Sequence, residues 1–283
     1  MAQTKAHTLP RIHESAWGRI SARRLSGVLM VYLILVAGGV AFALPFLWML
    51  SSSLKAQVEI FLFPPRPLPE VIRWENYRDA LTAAPFGRYF LNSAVVSSLV
   101  VIGAVLSSSL VGYGFARIRG WGRNGLFAIV LATLMLPNQV TMIPTFLIFR
   151  ELNWINTFLP LTVPFFFGQP FNIFLYRQFF MGVASEITDA AKIDGCNHFD
   201  IYLRIVMPMS KAATATVAIL AFFWSWNEFL LPLIYLNSQK LYTVPLGLAM
   251  FRQFYSVQTP WHWLMAASVV AVLPLIVIFF FSQ

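Results

Sequence analysis

The sequence predicts an all-α integral membrane protein with six transmembrane helices and both termini cytoplasmic. Three observations predict it. Of its 283 residues, 58% are hydrophobic and 11% charged, against roughly 25% charge in soluble domains. Apolar runs of about 20 residues, the length that crosses a bilayer, recur along the chain. With six spans, the inner segments hold twelve lysines and arginines and the outer segments eight, the bias that sets orientation.

The net charge of +9 does not indicate a nucleic-acid partner, because the basic residues are scattered over short loops and form no groove. The single cysteine, Cys196, excludes an intramolecular disulfide.

Residues 1–25 form a polar, basic N-terminal segment on the cytoplasmic side. Residues 26–54 hold the first transmembrane helix. Ala41-Phe42-Ala43 resembles a signal-peptidase site, but the apolar run continues past it and exceeds a signal core of roughly 7–15 residues, so the helix is read as uncleaved. Residues 55–87 make an extracytoplasmic loop rich in proline, at Pro64, Pro65, Pro67 and Pro69. It is either a structured cap over the membrane surface or a contact surface for an extracytoplasmic partner.

Residues 88–283 form one membrane domain, with spans at about 89–115, 126–149, 158–176, 212–235 and 261–281. Gly120, Gly122 and Gly125 match G-x-G-x-x-G, but no strand precedes them and spans flank them, so a dinucleotide site is excluded by context. Pro137 and Pro144 interrupt the third span. Asn138 and Gln139 beside them either face a cavity, where freed backbone groups are tolerated, or bond across to neighbouring helices. The fourth span carries Gln169 and Asn172. The fifth carries Asn227 and Glu228, the one acid placed within a span; Trp224 and Trp226 favour a position near the membrane boundary.

Between the fourth and fifth spans lies the longest polar interruption of the second half, 186–208. Its first half reads as a short helix that Gly195 ends by adopting positive φ. Its second half, 199–207, reads as an amphipathic helix stopped before Pro208. A helix, a glycine corner and a helix form a projection suited to docking.

No nucleophile–base pair appears, and the four histidines lack metal-ligand spacing. No Walker A sequence is present, so uphill transport needs an ion gradient or an energising subunit. A gradient-driven secondary carrier, the main alternative, buries ionisable groups in mid-span; Glu228 is the sole candidate. A membrane-embedded enzyme would need a clustered acid–base or metal set. The balance points to a separate ATPase docked at the projection.

The spacing Asp189-Ala190-Ala191, three residues, Gly195, nine residues, Ile205-Val206-Met207-Pro208 resembles the EAA loop of permease subunits of bacterial ABC importers. Asp189 stands for glutamate and Met207 for leucine. Tyr113-Gly-Phe-Ala-Arg117, Met135-Leu-Pro-Asn-Gln-Val140, Arg177-Gln-Phe-Phe180, Ile193-Asp-Gly195 and Trp226-Asn-Glu-Phe229 are similar to the carbohydrate branch, which includes the maltose and glycerol-phosphate permeases. The resemblance implies a type I ABC importer fold and a non-catalytic subunit of a sugar importer in the bacterial cytoplasmic membrane. It implies four kinds of neighbour: a second permease in a heterodimer, two ATP-binding subunits, an extracytoplasmic sugar-binding protein, and lipid. ATP and magnesium would sit on the ATPases, and this chain would bind no cofactor or metal. Coupling would rest on Glu186, Asp189, Ala190, Ala191, Asp194, Gly195 and Pro208, with Asp189 facing a basic residue of the ATPase and Glu186 sharing that role. Asn138, Gln139, Asn172, Asn227 and Glu228 would line or gate the sugar path. The resemblance also implies a short polar tail beyond the last span; the sequence stops at Gln283.

Overall fold

The computed structural model describes residues 22–254 and 259–282, with the side chains of 22–26, 138 and 251–254 outside the description. The expected N-terminal segment 1–25 therefore lies almost wholly outside the described residues, as do both chain ends. Among the described residues all regular structure is helical. The chain divides into two compact units, 1–48 and 49–283.

The first unit consists, where described, of helix α1 (Ala22–Ser53) up to Trp48. Val28 to Val36 are each more than half exposed. A helix apolar on every side is suited to lipid rather than to an aqueous surface.

The second unit is built on α3 (Phe86–Arg117), preceded by α2 (Glu75–Ala83) and followed by α4 (Arg123–Ala132) and α5 (Asn138–Glu151). Then come α6 (Pro170–Met181), α7 (Ser185–Ile193), α8 (His198–Met209), α9 (Lys211–Asn227), α10 (Val244–Phe254) and α11 (Trp261–Ser282). Helix α3 packs along α6 and α9. Its buried face is rich in small residues, Ser93, Ser97, Gly103, Ala104, Ser108, Ser109 and Gly112, with Phe86, Tyr89, Val96, Val100 and Tyr113 among them. Small residues let helix backbones approach where lipid offers no hydrophobic drive. At Gly112 a β-carbon would lie 2.7 Å from the Tyr176 β-carbon and 3.2 Å from the Ile173 carbonyl oxygen.

The same face feeds hydrogen bonds to backbone that no helix satisfies. The Ser107 hydroxyl accepts from Gly168 N–H at 3.1 Å, and Ser108 accepts from Gln169 N–H at 3.1 Å. Ser93 accepts from Val244 N–H at 2.8 Å, where α10 begins.

By length and composition, α1, α3 and α11 can each cross a membrane, and two bent helix pairs raise the number to five. Three of the expected spans take a different form. The 126–149 stretch is two helices bent by 100°, because Leu136 is extended before Pro137 (ψ 116°). The 158–176 stretch is not one helix. A helical turn, Leu159–Thr162, runs into a 3₁₀ segment, Val163–Phe167. Gly168 then takes φ +84° before α6 starts at Pro170. The 212–235 stretch breaks at Glu228, which is extended (ψ 123°) before the short helix Leu230–Tyr235. Pro232 would clash with the Glu228 carbonyl in a continuous helix. In the polar stretch 186–208, the second helix does not stop before Pro208. It continues to Met209 because a π-helical turn at Ile201–Val206 takes up the proline.

The 55–87 segment is tied to the end of α1 through buried polar groups. Lys55 is fully buried and its ammonium donates to the Arg66 carbonyl at 2.6 Å; burial lowers the pKa of this amine. The Asn76 amide donates to the carbonyls of Ser53 and Lys55, both at 2.9 Å.

The close approach at Gly112 yields a test. Gly112→Val is expected to cost about 1–3 kcal/mol by overpacking and to lower the thermal midpoint of the solubilised chain. Gly114→Val, at a position with nothing within 4 Å, should leave the midpoint nearly unchanged. Equal midpoints for the two variants would refute the close-packing account.

Candidate functional site

Two places carry the residues singled out in the sequence: the projection formed by α7 and α8, and a cavity beside α5, α6 and α9.

Helix α7 ends in a Schellman turn. Gly195 has φ +86°. Its N–H donates to the Lys192 carbonyl at 3.0 Å, and Cys196 N–H donates to Ala191 at 2.9 Å. A β-carbon at Gly195 would meet nothing within 4 Å, so this glycine is required for its backbone angle, not for space. The chain then enters α8 under a cap: the Asn197 side-chain oxygen accepts from Phe199 and Asp200 N–H at 2.8 and 2.9 Å.

One face of the projection is packed and the other is open. Ala191 is buried with Tyr113, Tyr176, Phe180, Ile201 and Tyr202. Glu186, Asp189, Ala190, Asp194, Gly195 and Pro208 are exposed. Ile193 is 88% exposed, with Phe199 and Leu203 also open. The two alanines expected to serve coupling therefore divide: Ala191 is packed into the fold and Ala190 faces outward. Asp189 is 2.9 Å from the Lys192 ammonium. That hydrogen bond and its charge, reinforced by Arg119 and Arg117, hold the Asp189 carboxyl below the usual carboxylate range. With a lowered pKa, whatever the pair contributes is present above the ordinary carboxylate pKa and is lost as pH falls through the lowered value.

The projection is held to the bundle by residues that charge and hydropathy did not single out. The Arg117 guanidinium donates to the carbonyls of Phe180, at 2.6 Å, and Val183, closing the C-terminus of α6 just before α7. Ser109 and Tyr202 share a hydrogen bond at 2.7 Å. The Tyr113 hydroxyl lies 3.4 Å from His198 Nδ1. Arg177 stacks 4.2 Å over the Phe127 ring. In the sequence Arg117 stood out as an inner-loop charge and as the end of the Tyr113–Arg117 motif, without a structural role, because its partners are carbonyls and leave no mark there.

The cavity has a volume of about 790 Å³, within the range of roughly 300–1,000 Å³ usual for small-molecule sites. It brings together Gln139, Asn172 and Glu228, three of the five pathway candidates. Gln169, Thr141, Thr145, Phe171, Trp224 and Tyr235 join them, and of these only Gln169 and Trp224 had drawn notice in the sequence. Asn227 is not among the lining residues; its amide donates back to the Phe223 carbonyl at 2.8 Å. Asn138 opens α5, and its side chain lies outside the described residues. Glu228 is fixed where α9 breaks, its Oε1 accepting from Leu231 N–H at 3.0 Å. Amides, hydroxyls, one carboxylate and aromatic faces can bind a polyhydroxylated solute. Among the described residues no group of three or more metal-ligating side chains occurs.

Comparison with known proteins gives concordant results. A model of the family described as binding-protein-dependent transport system inner membrane component matches residues 104–283. The probable ABC transporter permease protein YurM of Bacillus subtilis (strain 168) is 33% identical over 258 residues, 91% of this chain and 85% of that protein. The arabinooligosaccharides transport system permease protein AraQ of Halalkalibacterium halodurans is 35% identical over 216 residues, 76% of each chain. The crystal structure of a bacterial ABC transporter that imports the acidic polysaccharide alginate contains a chain with the same fold. It superposes with a TM-score of 0.80 at 19% identity, covering 93% of this chain and 97% of that one.

The Arg117 clamp predicts a local effect. Arg117→Met leaves two carbonyls without their charged donor, a loss of about 1.5–3 kcal/mol for bonds to a charged group. Amide hydrogen exchange across 185–193 is expected to speed up roughly tenfold to a hundredfold, one decade per 1.4 kcal/mol, while α11 stays protected. Unchanged exchange in α7 would contradict the clamp.

Proposed function

The chain belongs to the family of binding-protein-dependent transport system inner membrane components, and from that premise we propose that it is the permease subunit of an ABC importer for a sugar or sugar derivative. The proposal includes six spans with both termini in the cytoplasm of a bacterial cell. Its partners would be a second permease, two ATPase subunits that hold ATP and magnesium, and an extracytoplasmic sugar-binding protein. Sugar as the cargo is supported by the carbohydrate-type motifs and by the name of the arabinooligosaccharide relative.

The observation that carries the reading is the open face of the projection. Ile193 is 88% exposed beside Asp189, Ala190 and Gly195, an apolar and acidic surface without an occupant among the described residues. An ATPase cleft lined by apolar and basic groups would cover it. Asp189 would then exchange Lys192 for a basic residue of the ATPase, a small change because exposed ion pairs contribute about 0–1 kcal/mol. Glu186 and Asp194 would flank that contact, and Pro208 would stiffen the end of α8.

In this reading ATP-driven closure of the ATPase pair moves α7. Displacement of α7 pulls on 182–184, which the Arg117 clamp joins to α6 and α3. Helix α6 carries Asn172 into the cavity at its other end, so movement of the projection alters the path. Gln139, Asn172 and Glu228 would receive or gate the sugar there. Asn138 would sit at the bend, and Asn227 would act through the break at Glu228.

The test is Gly195→Val in the reconstituted transporter. A β-branched residue at positive φ is strained by about 1–2 kcal/mol or more, so sugar uptake per ATP hydrolysed should fall roughly tenfold, one decade per 1.4 kcal/mol, while basal hydrolysis persists. Native coupling in this variant would sink the docking role. For the cavity, Gln139→Ala, Asn172→Ala and Glu228→Ala should each raise the KM for uptake. If all three kept native KM and rate, the sugar would travel elsewhere.

A further inference from the structure

Beside the break after α9 lies a second, much smaller cavity of about 10 Å³, roughly the volume that one water molecule needs. Its walls are mostly apolar, and Ser225, Glu228 and Thr243 bring two hydroxyls and a carboxylate to it. Thr243 is 4% exposed, and its hydroxyl makes no hydrogen bond among the described residues. We infer that this cavity binds one water molecule, which joins the Thr243 hydroxyl to Ser225 and Glu228 and makes Thr243 a positioning residue for the break. The inference depends neither on the cargo nor on a second chain, because all three ligands belong to this one.

A buried hydroxyl without a partner is costly, and the backbone that carries this one is fixed on both sides. The Asn92 amide donates to the Tyr242 carbonyl at 2.9 Å, and Val244 N–H donates to Ser93 at 2.8 Å. The Thr243 carbonyl itself accepts from Gly247 N–H at 2.8 Å. β-Branching then leaves the side chain few rotamers. In the same cavity the Ser225 hydroxyl accepts from Ser97 at 3.2 Å and keeps its own hydrogen to give. The Glu228 carboxylate accepts from Leu231 N–H at 3.0 Å and has lone pairs to spare. These three groups complement a single water, which makes about three hydrogen bonds in such sites. An apolar group of the same size would leave all three unmatched. A water bridge is nearly as favourable in enthalpy as a direct bond. It ties the break after α9 to the start of α10 and, through Asn92 and Ser93, to α3.

The experiment is cryo-electron microscopy of the assembled transporter in lipid nanodiscs, in sodium and in choline salts, at a resolution that shows ordered water. A density bonded to Thr243, Ser225 and Glu228 is expected in both salts. Thr243→Val keeps the shape of the side chain and removes the hydroxyl, whereas Thr243→Ser keeps the hydroxyl. The density should vanish in the first variant and remain in the second. Amide exchange resolved to single residues gives an independent readout. In Thr243→Val, exchange at Leu231 should rise roughly tenfold, the effect of losing one hydrogen bond of about 1.4 kcal/mol, and Thr243→Ser should restore it. Exchange at Val244 should hold, because its bond to Ser93 does not pass through the water; a packing role alone would disturb Val244 at least as much as Leu231. Ser225→Ala, which removes a second partner, should give the same loss of density and the same rise at Leu231. No density in the native protein, or Leu231 exchange unmoved by Thr243→Val, would overturn the inference. A density present in sodium and lost in choline would overturn it too, since the ligand would then be a cation.

Discussion

The second unit depends on one constraint: where the backbone of α6 and the starts of α6 and α10 come closest, the buried face of α3 must carry glycine or serine. Helices in a bilayer gain little from hiding apolar surface, so they associate through close packing and hydrogen bonds. Glycines and serines on α3 serve both needs at once. Gly112 lets the backbone of α6 approach to within a β-carbon's reach. Ser107, Ser108 and Ser93 then use that proximity to accept N–H groups from Gly168, Gln169 and Val244. Those donors belong to helix starts and breaks, and each would cost several kcal/mol if left unpaired in hydrocarbon. The irregular segment before α6 is therefore permitted by α3, and the cavity exists because that segment, α5 and α9 are broken rather than straight.

The same helix organises the projection at its other end. Tyr113 packs on Phe180 and Tyr202, and Arg117 closes α6. Between them, α7 is pressed against the bundle through Ala191 while Ile193 is left open. The docking role proposed for α7 would need this division. If both faces were free, it would move without transmitting force; if both were packed, it would have nothing to offer a partner. Helical geometry sets the division: Ile193 lies two residues, about 200°, round the helix from Ala191, and the Gly195 turn ends the helix just beyond it.

Sequence legibility follows the kind of signal each residue leaves. Gly195 was legible because positive φ is a property of one residue type and the spacing around it was intact. Gln139, Asn172 and Glu228 were legible because amides and acids are rare in spans and have few roles there. Asn227 was expected beside Glu228 and is not among the cavity-lining residues: α9 ends at Asn227 and Glu228 is extended, so adjacency in sequence does not put the two side chains on one face. The 158–176 segment was misread because hydropathy averages over a window and does not register that Pro160, Pro164, Gly168 and Pro170 interrupt one backbone. The bonding roles of Arg117 and the α3 serines were illegible for a different reason. Their partners are backbone groups, which every residue carries, so nothing in the partner's identity points back to them.

The projection and the cavity are joined by α6, the element that the proposed coupling would use. It is a 12-residue helix, about 18 Å long at 1.5 Å per residue. Its first turn carries Asn172 on the cavity wall, and its last turn is held by Arg117. The two ends are joined to α3 differently. At the start, neutral serine hydroxyls accept two N–H groups beside a glycine with φ +84°; at the end, a charged guanidinium grips two carbonyls. Bonds to a charged group are roughly twice as strong as neutral ones. Under the proposed coupling, a force applied at α7 would meet the stiffer attachment first and pass along α6 to the weaker one. The cavity end, where Gly168 tolerates a change of backbone angle that other residues resist, is where such a force would be released as motion.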